Sequence, residues 1–191
     1  MLKKIYARFM ALAAHPQAVF VLAAAAFAES SFFPIPPDVL LIPIVLAAAK
    51  KAWIAALVCT LSSVLGGGFG YGIGFFLRDF ALGWIERLGW TEAFSLFSLK
   101  YNETGPLIVF IGGFTPFPYK LTTIASGLVE MNFLAFMIAS LFSRGLRFFL
   151  IAALLRAYGE KARIFIEKHL GVLSILFVLL LVGFLFLGKL F

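Results

Sequence analysis

The sequence predicts an all-α integral membrane protein made of two inverted repeats, each a re-entrant helical hairpin followed by a transmembrane helix. Interfacial helices and a C-terminal transmembrane helix complete the predicted fold. Apolar residues make up 63% of the 191 residues and charged residues only 13%, against about a quarter charged in soluble domains. Prolines interrupt two of the long apolar stretches, and the same order of segments surrounds both interruptions. These observations exclude an ordinary water-soluble globule.

Three segments are long and apolar enough to cross a bilayer, because a hydrocarbon core of about 30 Å needs roughly 20 helical residues. They cover residues 52–77, 131–157 and 171–188. The chain is therefore predicted to be a single membrane domain over 1–191, with a core at 17–158 and a C-terminal transmembrane helix at 171–188. Near the N-terminus, Ala26-Phe27-Ala28 imitates the end of a cleavable secretory signal. Retention is favoured because apolar sequence resumes at Phe32.

Two further apolar stretches, about 17–49 and 105–129, are interrupted near their centres. Proline lacks an amide donor and clashes with the preceding turn, so several prolines close together end a helix. Unpaired backbone at this depth is tolerated only inside protein or beside a wet cavity. Each stretch is therefore predicted to turn near the midplane and leave on the side where it entered. The residues predicted to break the helices are Pro34, Pro36, Pro37, Pro116 and Pro118.

The distribution of cations agrees with this topology. With a cytoplasmic N-terminus, nine lysines and arginines fall inside and four fall outside, as the positive-inside rule requires. Those inside are Lys3, Lys4, Arg8, Lys50, Lys51, Arg156, Lys161, Arg163 and Lys168, and those outside are Arg78, Arg87, Lys100 and Lys189. If the broken stretches were full crossings, Lys50 and Lys51 would move to the opposite face. The net charge of +7 suits anionic lipid, and the scattered cations argue against nucleic-acid binding.

Residues 79–104 carry aromatic side chains at spacings of three and four with charges between them, which is typical of helices in the membrane interface. A soluble loop is the alternative, and the aromatic content makes it the weaker one.

The halves at about 17–78 and 105–158 resemble each other. Phe33-Pro34-Ile35-Pro36 matches Thr115-Pro116-Phe117-Pro118, and Trp53-Ile54-Ala55 matches Phe133-Leu134-Ala135. One span and the interfacial segment separate the halves, so the second hairpin must enter from the opposite face. Tips that approach from opposite sides meet near the midplane, where broken-helix transporters bind their substrates. Chance similarity between apolar sequences is the alternative.

Five ionisable residues lie inside the predicted membrane segments, and each is a candidate for function because a charge in lipid is costly. They are Glu29, Asp38, Lys120, Arg144 and Arg147. Arg144 and Arg147 share a helix face, and two adjacent guanidinium groups repel unless an anion neutralises them. A guanidinium also binds phosphate through two parallel hydrogen bonds. The alternative is that the acids and bases only pair with one another; for the set, function is favoured because ion pairs stabilise an interior poorly.

The first full span contains a run of glycines that includes Gly66, Gly68 and Gly70. Close helix packing is the favoured interpretation, because small residues let backbones approach in lipid, and a flexible gate is the alternative. No strand precedes the run, so nucleotide binding is improbable. The sequence contains no catalytic constellation and no metal-ligand spacing, which predicts a protein that is not an enzyme and uses neither metal nor cofactor.

The segment Ala28 to Asp38, the glycine-rich span, and Phe114-Thr115-Pro116 followed by Ala125-Ser126-Gly127 resemble the DedA superfamily, also called the SNARE-associated or VTT-domain family. The resemblance covers about 17–158 and is greatest to the short YqaA-like branch. It implies a bacterial inner-membrane protein with opposed re-entrant hairpins. It also implies a link to transbilayer movement of lipids, including undecaprenyl phosphate and phosphatidylethanolamine, and to membrane-potential homeostasis.

The second hairpin departs from the family pattern. Many members have Arg-Phe-x-Pro-x-x-Arg where this chain has Gly113-Phe114-Thr115-Pro116-Phe117-Pro118-Tyr119, with Lys120 one place beyond. Arg144 and Arg147 are candidates to supply the missing positive charge from the following span, and the departure leaves the lipid specificity open.

The favoured hypothesis is a flippase or scramblase for a phosphate-bearing lipid, either undecaprenyl phosphate or a phospholipid. Arg144, Arg147 and Lys120 would bind the phosphate, while Glu29 and Asp38 orient those cations or exchange a proton. The alternatives are a proton-coupled exporter of a small solute and a non-transporting assembly or homeostasis factor. The expected partners are membrane lipids and, in the coupled mechanisms, protons; the sequence also allows a homo-oligomer.

Overall fold

The computed structural model describes residues 17–33, 36–115 and 118–187, with side chains described as far as Gly159 and again at Lys161. Helices make up the architecture of these segments, which contain no strand. The prediction of an all-α fold is therefore confirmed. In chain order the helices are α1 (Ala18–Ser31), α2 (Asp38–Ala47), a 3-10 turn (Ala49–Lys51), α3 (Ala52–Phe76), α4 (Arg78–Arg87), α5 (Thr91–Phe114), α6 (Tyr119–Leu128) and α7 (Phe133–Leu187).

Both predicted breaks separate two helices. The first lies between Ser31 and Asp38, with Pro37 directly before α2, and the second lies between Phe114 and Tyr119, with Pro118 directly before α6. Pro36 lies in the first break, whereas Pro34 and Pro116 are outside the described residues. The 14 residues of α1 and the 10 of α2 span only about 21 and 15 Å. Neither helix is long enough to cross a bilayer alone.

Two helical segments are long and apolar enough to cross a membrane, Ala49–Phe76 and Phe133–Gly159. They correspond to the predicted spans at 52–77 and 131–157. The sequence predicts a further span at 171–188, but the backbone there belongs to the same continuous helix α7. No proline occurs between Phe133 and Leu187, and residues 158–170 include several good helix formers. The side chains of that C-terminal part lie outside the described residues.

The predicted interfacial segment is divided between two helices. The side chains of α4 are all at least partly exposed, including Phe80 and Trp84. Helix α5 begins at Thr91 and continues to Phe114, so it joins part of the predicted interfacial segment to the apolar residues that precede the second break. Pro106 lies inside α5 without ending it, because one isolated proline removes a single backbone hydrogen bond.

Two apolar clusters of buried residues show the relative directions of the helices. One cluster contains Ala18 from the start of α1, Val45 from the end of α2 and Ala52 from the start of α3, together with Ala152 of α7. The other contains Tyr71 near the end of α3, Tyr101 of α5, Val129 after α6 and Phe136 near the start of α7. Helices α3 and α7 are therefore antiparallel. The outer ends of α1 and α2 lie at one end of this pair, and the parts of α5 and α6 far from their break lie at the other.

Glycines at intervals of four residues allow α3 to touch its neighbours. A Cβ at Gly66 would overlap the carbonyl oxygen of Phe27 in α1, and one at Gly70 would overlap the Thr123 hydroxyl of α6. A Cβ at Gly74 would overlap a backbone carbonyl of α6. Gly68 faces elsewhere, since its nearest neighbour would be the Met137 sulfur at 3.5 Å, an ordinary contact. Gly66 and Gly70 therefore lie at helix contacts, whereas Gly68 does not require a glycine for space.

Candidate functional site

Arg144 of α7 occupies the centre of the protein. Its side chain is 2% exposed, and Nη2 donates a hydrogen bond of 2.8 Å to Oε2 of Glu29 in α1. Nε donates a second bond of 2.6 Å to the Ser63 hydroxyl of α3. The guanidinium carbon also lies 4.8 Å from the Tyr119 ring centroid and 4.6 Å from that of Phe148. Arg144 therefore connects α1, α3 and α6 to α7.

This environment compensates the charge of Arg144. The carboxylate supplies a counterion, the hydroxyl accepts a second hydrogen bond, and aromatic faces attract a cation electrostatically. An interior ion pair is favourable only when such partners surround it, because desolvation of both ions costs several kcal/mol each. In this conformation Arg144 is almost fully buried and bound to Glu29 and Ser63, so little of its surface is open to an outside ligand.

Arg147 lies one turn further along α7 and bridges the two breaks. Its Nη2 donates a hydrogen bond of 2.5 Å to Oδ2 of Asp38, the first residue of α2. Its Nη1 donates to the carbonyl oxygen of Thr115, the residue that follows α5, also at 2.5 Å. One guanidinium group therefore fastens the end of the first break to the beginning of the second.

The Arg147–Asp38 pair differs from the central pair in its access to the surroundings. The side chains of Arg147 and Asp38 are 15% and 18% exposed, against 2% for Arg144. The second carboxylate oxygen of Asp38, Oδ1, is buried and has no hydrogen-bond partner among the described residues. The pair is thus more exposed than Arg144, and one of its carboxylate oxygens lacks a hydrogen bond.

Lys120 does not join these pairs. It is the second residue of α6 and is half-buried, and its ammonium group has no ion-pair partner within the described segments. The structure therefore brings together four of the five predicted site residues, as Glu29 with Arg144 and Asp38 with Arg147. Their proposed roles toward a substrate stay predictions.

Several residues around Glu29 and Arg144 were not predicted as site residues from the sequence. The Ser63 hydroxyl lies 2.6 Å from that of Ser30, which in turn donates to Glu29 at 3.3 Å. The Tyr119 hydroxyl donates to Ser140. The sequence contains one signal, the polar triplet Glu29-Ser30-Ser31 within an apolar stretch, which indicates that hydroxyl groups lie near the Glu29 carboxylate. Ser63 and Ser140 lack such a signal, because small hydroxyl residues are common in membrane helices. Tyr119 follows the second proline pair, but nothing in the sequence indicates the partner of its hydroxyl group.

No three side chains among His, Cys, Asp and Glu lie close enough to hold a metal ion in the part of the chain that the structure describes. What the site offers is a guanidinium and a carboxylate at the meeting point of two helix breaks. These groups can bind an anion and accept a proton, respectively.

Comparison with known proteins identifies the family. The VTT domain matches residues 35–157, which include Asp38, Arg144 and Arg147. An uncharacterized protein from Haemophilus influenzae is 37% identical over 170 residues, covering 89% of this chain and 88% of the relative. Another, from Histophilus somni, is 38% identical over 157 residues, covering 82% of each chain. No solved structure matches. With its two apolar helices long enough to span a bilayer, the chain belongs to the VTT-domain family of membrane proteins.

Proposed function

We propose that the protein is a transporter of the bacterial inner membrane that moves a phosphate-bearing lipid between leaflets as a flippase or scramblase. Undecaprenyl phosphate and phospholipids are the candidate substrates, and the N-terminus is placed in the cytoplasm. Membership of the VTT-domain family is consistent with a transporter or flippase. The observation that carries the proposal is Arg147, which holds both helix breaks through contacts that a lipid phosphate could replace.

The proposal treats each broken stretch as a re-entrant hairpin, and the apolar clusters support this topology. Ala18 and Val45 lie in the same cluster as Ala52, so both arms of the first stretch begin and end beside the start of α3. Tyr101 and Val129 share the cluster at the other end. Hairpins that enter from opposite faces and are bridged by Arg147 would place irregular backbone inside protein, as a bilayer requires.

The two arginines receive different roles. Arg144, which is buried and paired with Glu29 and Ser63, would hold the first hairpin against α3 and α7. Arg147 would exchange its partners: when a lipid phosphate approaches, its two parallel N–H groups would leave Asp38 and Thr115 and bind phosphate oxygens instead. Protonation of Asp38 would remove the competing negative charge and assist this exchange, which gives the mechanism a route to proton coupling. Lys120, which is free of an ion pair in the described structure, would attract the phosphate toward the second break.

The test is a lipid-movement assay in proteoliposomes that contain a labelled anionic phospholipid. Arg147→Gln should lower the rate of transbilayer movement at least about tenfold, equivalent to about 1.4 kcal/mol in the barrier. Lys100→Gln, which removes an exposed cation of α5, should retain the wild-type rate. Equal rates for wild type and Arg147→Gln, with both proteins folded, would contradict the proposal. Flux of a small solute without lipid movement would instead favour a solute exporter.

A non-transporting role has one observation in its favour: Glu29, Asp38, Arg144 and Arg147 all pair with one another in the structure. If the pairs only stabilise the fold, exchanging acid and base in Asp38→Arg/Arg147→Asp should restore both stability and cellular function. A transporter that needs the guanidinium at position 147 should regain stability in this double variant but not lipid movement.

A further inference from the structure

One end of the protein carries an excess of positive charge. The apolar segment Ala49–Phe76 begins here, and here too the apolar run of α7 that starts at Phe133 gives way to charged residues from Arg156 onward. Gly159 lies close to Leu46 at the end of α2. The exposed cations at this end are Lys50, Lys51, Arg156 and Lys161, which we call the basic end. At the opposite end Arg78 pairs with Glu130 at 3.5 Å, and Asp79 follows it. The positive charge is therefore concentrated at the end where α3 begins, and the other end of α3 carries both acidic and basic residues.

Arg156 is held in place by an aromatic side chain. Its guanidinium carbon lies 5.6 Å from the Trp53 ring centroid, and Trp53 stacks on Phe149 with centroids 6.0 Å apart. Within the described side chains no carboxylate forms an ion pair with Arg156. Since the indole covers one face of the guanidinium, the N–H groups at its edge stay available to oxygen acceptors in its plane. Such an edge matches the oxygens of a phosphate group.

The position of this contact suits the lipid headgroup layer. Trp53 is 42% exposed and Tyr158 is 59% exposed, although both lie at the ends of apolar segments. Tryptophan and tyrosine concentrate where the hydrocarbon meets water. Arg156 lies nine positions after Arg147 in α7, or about 13.5 Å along the helix axis. The basic end is therefore distinct from the ion pairs at the helix breaks.

We propose that the basic end is a binding site for the phosphate groups of anionic phospholipids, with Arg156 on Trp53 as its main contact. Lys50 and Lys51 add positive charge from the 3-10 turn. The positive charge of the basic end is complementary to a phosphate group. Because the basic end adjoins the apolar parts of α3 and α7, a lipid is favoured over a soluble polyanion. The site enriches anionic lipid beside the protein whether or not the protein transports lipid, so its test is independent of the function proposed above.

The test uses Trp53 as the sole tryptophan, in a full-length variant with Trp84→Phe and Trp90→Phe. The protein is reconstituted into vesicles that contain brominated phosphatidylglycerol or brominated phosphatidylcholine, because bromine quenches tryptophan fluorescence on contact. A cation near the membrane surface contributes about fivefold to local enrichment of anionic lipid. Quenching of Trp53 should therefore indicate a preference for phosphatidylglycerol of at least about fivefold, and Arg156→Gln should lower this preference severalfold. Arg156→Lys, which keeps the charge without the planar edge, should give an intermediate value.

The chain provides a matched control at its other end. Arg87 lies over Trp84 at 5.5 Å, a similar stacking contact, but Glu86 is its neighbour in sequence. With Trp84 as the sole tryptophan, after Trp53→Phe and Trp90→Phe, the two brominated lipids should quench equally. Glu160→Gln removes the acid four residues beyond Arg156 and should preserve or increase the preference at Trp53. Equal quenching of Trp53 by both lipids, an unchanged preference in Arg156→Gln, or a response to soluble RNA in place of anionic lipid would overturn the proposal.

Discussion

Glu29→Ala should lower the free energy of unfolding by about 3–5 kcal/mol, because it leaves the Arg144 guanidinium inside the protein without its counterion. The Ser63 hydroxyl accepts one hydrogen bond from Arg144 but cannot neutralise its charge. Unfolding in detergent micelles, followed by circular dichroism during heating or denaturant titration, would measure the loss. The effect should be large because Glu29 is only 9% exposed.

The control for this prediction is the exposed ion pair at the other end of α3. Arg78 and Glu130 lie 3.5 Å apart with side chains 33% and 50% exposed, so Arg78→Ala should cost less than about 1 kcal/mol. Replacing both central partners, as Glu29→Leu/Arg144→Met, should recover much of the loss, since apolar residues can substitute for a buried pair. If Glu29→Ala proves no more damaging than Arg78→Ala, Arg144 is not held as described.

Gly74→Ala should also destabilise the protein strongly, because the new methyl group would overlap the backbone carbonyl of Ile124 in α6. A backbone atom cannot move aside as a flexible side chain can, so α3 and α6 would have to separate. Overpacking of this kind costs about 1–3 kcal/mol or more. The same unfolding measurement applies, and Gly66→Ala should behave similarly against Phe27 of α1.

Gly72→Ala is the matched control in the same helix. A Cβ at Gly72 would approach no more closely than 4.0 Å to the Phe76 ring, which is ordinary contact. Since alanine favours a helix over glycine by about 1 kcal/mol, this variant should be as stable as wild type or more so. Equal stability of the Gly72 and Gly74 variants would show that glycines in α3 serve flexibility and not close packing.

The helix breaks could be predicted because the effect of proline is local. Adjacent prolines at Pro36 and Pro37 leave no continuous run of amide donors, and α2 starts directly after them. Pro43 and Pro106 have the same chemistry but stand alone, and each lies within a helix. Among the described prolines, Pro36, Pro37 and Pro118 lie between helices, whereas the isolated Pro43 and Pro106 lie within them. The second broken stretch is predicted to start at 105, but α5 begins at Thr91 and continues through Pro106.

The choice of partners within the site could not be predicted from the sequence. Glu29 and Arg144 are separated by 115 positions, and Asp38 and Arg147 by 109. Charge alone would allow either acid to pair with either arginine, or with Lys120. The pairing depends on how α1, α2 and α7 pack, and on hydroxyl groups such as Ser63 that carry no distinctive pattern. The bridge to the Thr115 carbonyl uses a backbone atom, which no residue type reveals.

The proposed mechanism requires that the broken stretches enter from opposite faces of the membrane and leave where they entered. Single cysteines in a Cys59→Ala background, labelled by a membrane-impermeant maleimide in vesicles of known orientation, would show on which side each end of a stretch lies. Gln17→Cys and Lys50→Cys, which flank the first stretch, should react from the same side. Glu103→Cys and Glu130→Cys, which flank the second, should both react from the opposite side. Labelling of Gln17→Cys and Lys50→Cys from different sides would show that the first stretch crosses the membrane, and would contradict the account.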